Sequence, residues 1–262
     1  HEETPSYEFV PYRFGAFSFT SYADKRKMIE AGLLMDDEKN WTLTDAGQTE
    51  ARHKPIDKKA VAEFCSQHSA LRGDELIAAV YRRYPYYATR SKILDRVLPN
   101  LADHTQIDAA RPTQLEPGLL TIGYEGKTLE RYLNQLLKSS VTLLCDVRRN
   151  PLSRKYGFSK GSLSKACEGV GIRYEHLPEL GIASSERGKL ETQADYDALF
   201  ARYEQACLPH QAAALQKIRN WIEHEGHRVA LTCYEELPSM CHRQRVANAI
   251  ERLNNTSLAQ HL

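Results

Sequence analysis

The sequence predicts an α/β fold built on a mainly parallel sheet, and three observations carry that prediction. In the C-terminal half, short apolar runs alternate with helical patterns, the rhythm of a doubly wound sheet. A polar stretch, ADHTQIDAARPTQLEPG, separates this half from a helix-rich N-terminal part. At 262 residues, with 42% hydrophobic and 26% charged residues, the chain can bury a good core in one large or two ordinary domains.

The first element follows the aromatic run YEFVPYRFGAFSF. In TSYADKRKMIEAGLL, residues Tyr22, Arg26, Ile29 and Leu33 keep helical spacing, and Gly32 marks the stop. The segment LLMDDEKNWTLTDAG then sets a polar turn, Asp36 to Asn40, between two strand-like runs, and Asp45 is expected to cap another helix. Helix, polar-tipped hairpin and helix in this order resemble a winged helix, assigned to residues 1–56. Few residues precede Thr20, so the domain is expected to be N-terminally truncated or an unusual variant. The resemblance makes Ser18 to Ala31 the groove reader, with Arg13, Lys25, Arg26 and Lys27 near DNA phosphates. The same charges suit a solvated helix face or a protein contact.

Residues 57–117 read as a helical segment and linker, broken near Gly73 and Pro85. Within it, YRRYPYYATR mixes tyrosines with arginines, a composition that suits base stacking or a helix–helix interface. The interface is favoured, and with it a homodimer.

Residues 118–262 carry the sheet. Strands are expected at Leu119 to Tyr124, Thr142 to Val147, Ile172 to His176 and Arg228 to Cys233. Helices are expected at Thr128 to Lys138, Gly161 to Gly169, Tyr196 to Gln205 and Gln211 to Glu225, and a last one in ELPSMCHRQRVANAI. That last helix places His242, Arg243 and Arg245 near its positive end, where acidic side chains are favoured.

No apolar run approaches the 18 or more residues of a membrane span, and the first residues are polar, so a cytoplasmic protein without a membrane partner is expected. The cysteines Cys65, Cys145, Cys167, Cys207, Cys233 and Cys241 lack the spacing of a disulfide module or a CxxC zinc site, and reduced thiols are expected. A formal charge of +1 leaves nucleic-acid binding to local basic clusters.

Ligands of open parallel sheets bind beyond the carboxyl ends of the strands. Those ends deliver Tyr124 and Glu125; Asp146, Arg148 and Arg149; His176 and Glu179; then Cys233, Glu235, Cys241, His242 and Arg243. Arg148, Arg149, Arg154 and Arg243 can clamp a phosphate or carboxylate. Alternatively Asp146 pairs with Arg148 or Arg243, and Glu235 with Arg245, in an internal ion-pair lattice. Glu125, Asp146, Glu179 and Glu235 are the acid–base candidates. Cys241, in a first helical turn beside His242, is a candidate nucleophile, with metal ligation alongside Cys233 and His242 or a packing role as alternatives. No ligand set has diagnostic metal spacing, and no cofactor is named. His176 is a strand-end hydrogen-bonding residue or a ligand contact, and Gly181 is expected at positive φ in a tight reversal.

The set TIGYEGKTLERYL, CDVRRNPLSRKYGFSK, YEHLPELG and LTCYEELPSMCHRQRVA resembles the family catalogued as domain of unknown function 488, over roughly residues 118–255. The shared features are Thr121 to Tyr124, Asp146-Val147-Arg148 with Pro151, Ser153 and Arg154, His176 to Gly181, and Cys233, Glu235, Pro238, Cys241, His242 and Arg243. Tyr124-Glu125-Gly126 departs from the His-Ser-Asn of many relatives, which leaves Tyr124 and Glu125 open as family groups. The alternation of strands and helices makes the expected fold Rossmann-like, and the resemblance implies no assigned activity. The expectation drawn is a nucleic-acid- or nucleotide-binding protein, with hydrolysis of a phosphorylated or nucleoside substrate; the alternative is a DNA-binding regulator that senses a small anion.

Overall fold

A computed structural model describes residues 6–37, 40–53, 57–186, 188, 190–254 and 259–262. The chain divides into two compact units, residues 1–111 and 112–262. No helix among the described residues is long and apolar enough to cross a membrane.

The first unit opens with a two-stranded hairpin, β1 (Val10–Tyr12) and β2 (Gly15–Phe17). Helix α1 (Phe19–Glu30) follows; Ser18 caps it by accepting from Ser21 N at 3.2 Å, and Gly32 ends it at φ 69°. A second hairpin pairs β3 (Leu34–Asp36) with β4 (Trp41–Leu43), Leu34 opposite Leu43. The cap of α2 (Asp45–Arg52) is Thr44, whose Oγ1 accepts from Gly47 N, so Asp45 is the first helical residue, where its charge suits the dipole.

Among the described residues, five further helices complete this unit: α3 (Lys58–His68), α4 (Gly73–Arg83), α5 (Pro85–Ala88), α6 (Leu94–Val97) and α7 (Leu101–Ala109). Ala78, Tyr81, Ala88, Val97, Leu98 and Ile107 form its core. The tyrosine-rich segment feeds that core. Tyr81 is buried with its hydroxyl on Ser91 Oγ, Tyr87 meets Phe9 edge-on, and Tyr84 alone of the four tyrosines is exposed.

The second unit is a five-stranded, all-parallel, Rossmann-like sheet. Its strands are β5 (Gly118–Gly123), β6 (Leu143–Asp146), β7 (Arg173–His176), β8 (Arg228–Cys233) and β9 (Gln260–His261), in the order β7-β6-β8-β5-β9. The two-residue edge strand β9 has no counterpart in the sequence reading, because so short a run carries no alternation to detect. The helices are α8 (Leu129–Lys138), α9 (Lys160–Gly169), α10 (Gln193–Arg202), α11 (Ala212–Glu223) and α12 (His242–Asn254).

Side-chain alternation divides the strands between two faces. Leu143, Cys145, Val229 and Leu231 face a core closed by Leu199, Phe200, Leu215, Ile218, Trp221, Val246 and Ile250 from α10, α11 and α12. From the other side Tyr132 of α8 reaches β8 and donates to Thr232 Oγ1 at 2.7 Å. Right-handed crossovers require this split: the chain moves one way along the sheet from β5 to β7 and returns through β8 to β9. The helices after β6 and β8 therefore leave toward opposite faces, which opens a switch point at the carboxyl ends of these neighbouring strands.

Candidate functional site

The loops after β5, β6 and β8 meet at that switch point. Gly123, the last residue of β5, is a glycine for steric reasons, since a Cβ there would collide with the Glu235 carbonyl. The close approach lets Tyr124 N and Glu125 N donate to Tyr234 O at 3.1 and 2.9 Å, and Glu125 Oε2 accept from Glu236 N at 3.0 Å.

Asp146 ends β6 fully buried and fully employed. Its carboxylate accepts from Arg148 N and Nε at 3.1 and 2.8 Å, from Arg148 Nη2 at 2.5 Å and from the Tyr174 hydroxyl at 2.6 Å. Arg148 spends its remaining donor, Nη1, on the Tyr124 hydroxyl and the Phe158 carbonyl. Burial alone would lower the Arg148 pKa, but the bond and charge of Asp146 more than reverse that, so the guanidinium is permanently charged and locally neutralised. Of the ion pairs in the predicted lattice, this is the one that forms.

Arg243 is also buried, and it pairs with no carboxylate among the described residues. Its two terminal nitrogens hold the main-chain oxygens of Glu235 and Glu236, and Nε reaches Thr121 Oγ1 at 3.4 Å. Carbonyl dipoles of the loop after β8 thus offset a cation at the start of α12. Arg245 lies over the Phe200 ring, 5.1 Å from its centroid, and not against Glu235.

Between these loops lies a cleft of about 420 Å³. Arg149, Arg154 and Lys155 lie on its walls with Tyr234 and Leu152, and Tyr124, Arg148, Cys233 and Glu235 line it further in. Arg154 is exposed and makes no hydrogen bond or ion pair among the described residues, and Arg149 donates only a long bond to Pro178 O, at 3.4 Å. Lys155 donates to Tyr124 O at 2.9 Å, and burial lowers its pKa although Glu125 works in the opposite direction. Tyr124 stacks on Phe158 with centroids 4.4 Å apart and meets the half-exposed Tyr234 ring edge-on.

His176 and Glu179 flank the cleft without lining it. His176 Nε2 donates to Arg148 O at 2.9 Å, and Nδ1 accepts from Lys160 Nζ at 3.2 Å, so this ring fixes the backbone leaving β6. Glu179 sits in a short 3₁₀ turn, Pro178–Leu180. Gly181 has φ −91°, not the expected positive value; the position requires glycine because a Cβ would run into the Arg149 backbone.

Behind Glu235 lies a buried cluster of Cys233, Cys241 and His242 whose ligand-type atoms are all within 4.8 Å of one another. Cys233 Sγ is 3.4 Å from Glu235 Oε2 and 3.7 Å from His242 Nδ1. Burial pushes the Glu235 carboxyl up to about 7, with Cys241 adding to the effect. Burial opposes ionisation of Cys241, yet Cys233, His242 and Arg243 together bring its thiol well below the usual range. His242 is buried, which alone would lower it, but Cys241 raises it.

The sequence candidates thus separate. Tyr124, Arg148, Arg149, Arg154 and Glu235 share the cleft, Glu125 braces its loop, Asp146 and Arg243 support it from within, and Cys241 and His242 lie beneath it. Lys155, Tyr174, Phe158 and Tyr234 were not singled out as site residues; only the lysine in PLSRKYGFSK, among arginines after a strand end, offered a signal. Far along the chain, Lys25 is ion-paired with Asp36 and lies 4.4 Å over the Trp41 ring, Lys27 pairs with Asp24 at 3.0 Å, and Arg13 and Arg26 are exposed.

A comparison with protein families matches residues 128–250 to the family described as Domain of unknown function DUF488. Comparisons with curated proteins and with solved structures gave no match.

Proposed function

Residues 128–250 belong to the DUF488 family, and we propose that the cleft they line with Tyr124 binds a phosphorylated ligand of the nucleotide class and hydrolyses it. One observation carries this reading: the walls of a single cleft bring together three cations and an exposed aromatic ring. Arg149, Arg154 and Lys155 form no ion pair among the described residues, although Glu125 acts on Lys155 from a distance, so their charge is available to an anion. Guanidinium forks match phosphate oxygens, and the Tyr234 ring offers a face on which a base can stack. Asp146 neutralises Arg148, so that pair is the rigid back of the cleft rather than its clamp.

Glu235 is the carboxylate that lines the cleft, and it is the group placed to move a proton on an attacking water. The test titrates the full chain with ATP, ADP, pyrophosphate and a short single-stranded oligonucleotide, and follows product release in parallel. Binding that weakens at least about tenfold in R149A/R154A, with turnover lost in E235Q but binding kept, supports the reading. Binding without turnover in the wild type leaves an anion sensor, and no binding by any of the four probes removes the nucleotide reading.

A further inference from the structure

Three buried side chains under the cleft have no role in the reading above. Cys233 ends β8, and Cys241 and His242 open α12, so seven intervening residues fold back to bring them together. Burying two thiols against an imidazole is an unusual use of core space, because each carries polar capacity that an aliphatic side chain would not.

The tautomer of His242 is set by its surroundings. Nε2 lies 2.9 Å from Val147 O and donates its proton there, so in the neutral ring the lone pair sits on Nδ1, which faces the two sulfurs, 3.7 and 4.0 Å away. A backbone carbonyl on one ring nitrogen and a free lone pair on the other is how proteins orient an imidazole toward a metal. The spacing agrees. With Zn–S bonds of about 2.3 Å and Zn–N bonds of about 2.0–2.1 Å, tetrahedral ligation puts sulfur and nitrogen about 3.6 Å apart. Cys241 needs to move only slightly to reach that value.

We propose that Cys233 Sγ, Cys241 Sγ and His242 Nδ1 form a zinc site with three protein ligands. Two thiolates and an imidazole match a borderline-soft divalent cation and select against magnesium and calcium, which take oxygen ligands. Binding releases the thiol protons to solvent as the Zn–S bonds form. Cys233 and Glu235 both line the cleft, so the fourth position opens beside the Glu235 carboxylate, the arrangement of a zinc that carries a water. Hydrolysis by that water rests on the reading in the preceding subsection; metal binding itself does not.

Sequence spacing leaves metal ligation by this trio as one of three readings of Cys241, because its members come from a strand end and a helix start, with a spacing unlike that of zinc fingers or ribbons.

The experiment is metal content, independent of activity. Full-length protein purified under reducing conditions, stripped with a chelator and titrated with zinc should take up about one equivalent by elemental analysis. Cobalt in its place should give thiolate-to-metal charge transfer and the visible absorption of a tetrahedral ion. C233S, C241S and H242Q should each weaken zinc binding by at least about a hundredfold. C65S/C207S, which alters the exposed Cys65 and the half-buried Cys207, should bind as the wild type does. Circular dichroism checks folding of each variant, and the wild-type cobalt spectrum needs no variant. No zinc uptake by the wild type, a cobalt spectrum without sulfur charge transfer, or unchanged affinity in folded C233S, C241S and H242Q would overturn the site.

Discussion

Arg148 lies fork to fork on Asp146, Nε 2.8 Å from Oδ1 and Nη2 2.5 Å from Oδ2, with both side chains buried where β6 ends. A buried pair of this kind contributes little net stability over an apolar pair, but removal of one partner strands the other charge without solvent. D146A should therefore destabilise the second unit by about 3–5 kcal/mol. The Tyr174 hydroxyl loses its acceptor as well. Urea denaturation followed by the fluorescence of Trp221, which is buried in this unit, reads the change. D146A/R148M should recover part of the loss. If D146A melts with the wild type, the pair does not anchor the strand end.

Gly181 is a separate constraint on the same loop. Its backbone is extended, so alanine costs nothing in φ and ψ; the cost arises because the new methyl would occupy the space of the Arg149 main chain. Backbone yields less readily than a side-chain end. G181A should lower stability by about 1–3 kcal/mol and weaken phosphate binding together, since the displaced residue is Arg149. A variant that loses stability but binds nucleotides normally would show that the shift is absorbed elsewhere.

How far the sequence carried this picture follows from the range of the forces involved. Period and punctuation are local, so β5, β6, β7 and β8 were legible to within about a residue or two at each end, the usual disagreement in assigning boundaries. The carboxyl-end rule brought Arg148, Arg149 and Glu235 to one place because parallel topology alone dictates it. Partner choice was not legible. Asp146 had two arginines to choose between, and what decides is the side-chain reach of Arg148, two residues away on the same strand end. Arg243 turns to carbonyl oxygens because the Glu235–Glu236 loop lies against Gly123, a meeting of segments about a hundred residues apart in the chain. Packing between strands hid Tyr174, whose hydroxyl completes the Asp146 shell, and the fold of the loop after β6 hid Phe158, whose carbonyl completes that of Arg148.

In the first unit, the structure assigns different duties to the cations expected to touch DNA. Lys25 bridges α1 to the β3–β4 hairpin through Asp36 and the Trp41 ring, and Lys27 pairs with Asp24 on its own helix. If this unit binds DNA, R13A and R26A should weaken binding and flatten the dependence of log K on log salt by about 0.9 for each phosphate no longer neutralised. K25M should instead lower the stability of the hairpin and leave the salt slope unchanged. A smaller slope in K25M with normal stability would return Lys25 to the DNA surface.

Lys155 gives nucleotide binding a pH signature. Its ammonium donates to Tyr124 O and lies 5.6 Å from the Phe158 ring centroid, and burial favours its neutral form while Glu125 favours the charged one. Arg149 and Arg154 are the other cations on the cleft walls, and Arg148 lies behind them, paired with Asp146. The sign follows directly. The folded-state pKa is lowered, so the cation is intact at neutral pH and is lost as pH rises, earlier than the value of about 10.4 for an ordinary lysine. Affinity for ADP or pyrophosphate should therefore be flat near neutrality and fall on the alkaline side. K155R should abolish that fall while keeping affinity, because its replacement side chain stays charged there. K155M should lose about tenfold in affinity at neutral pH and show no further alkaline loss. An alkaline fall that persists in K155R would assign the titration to another group and remove Lys155 from the phosphate contacts.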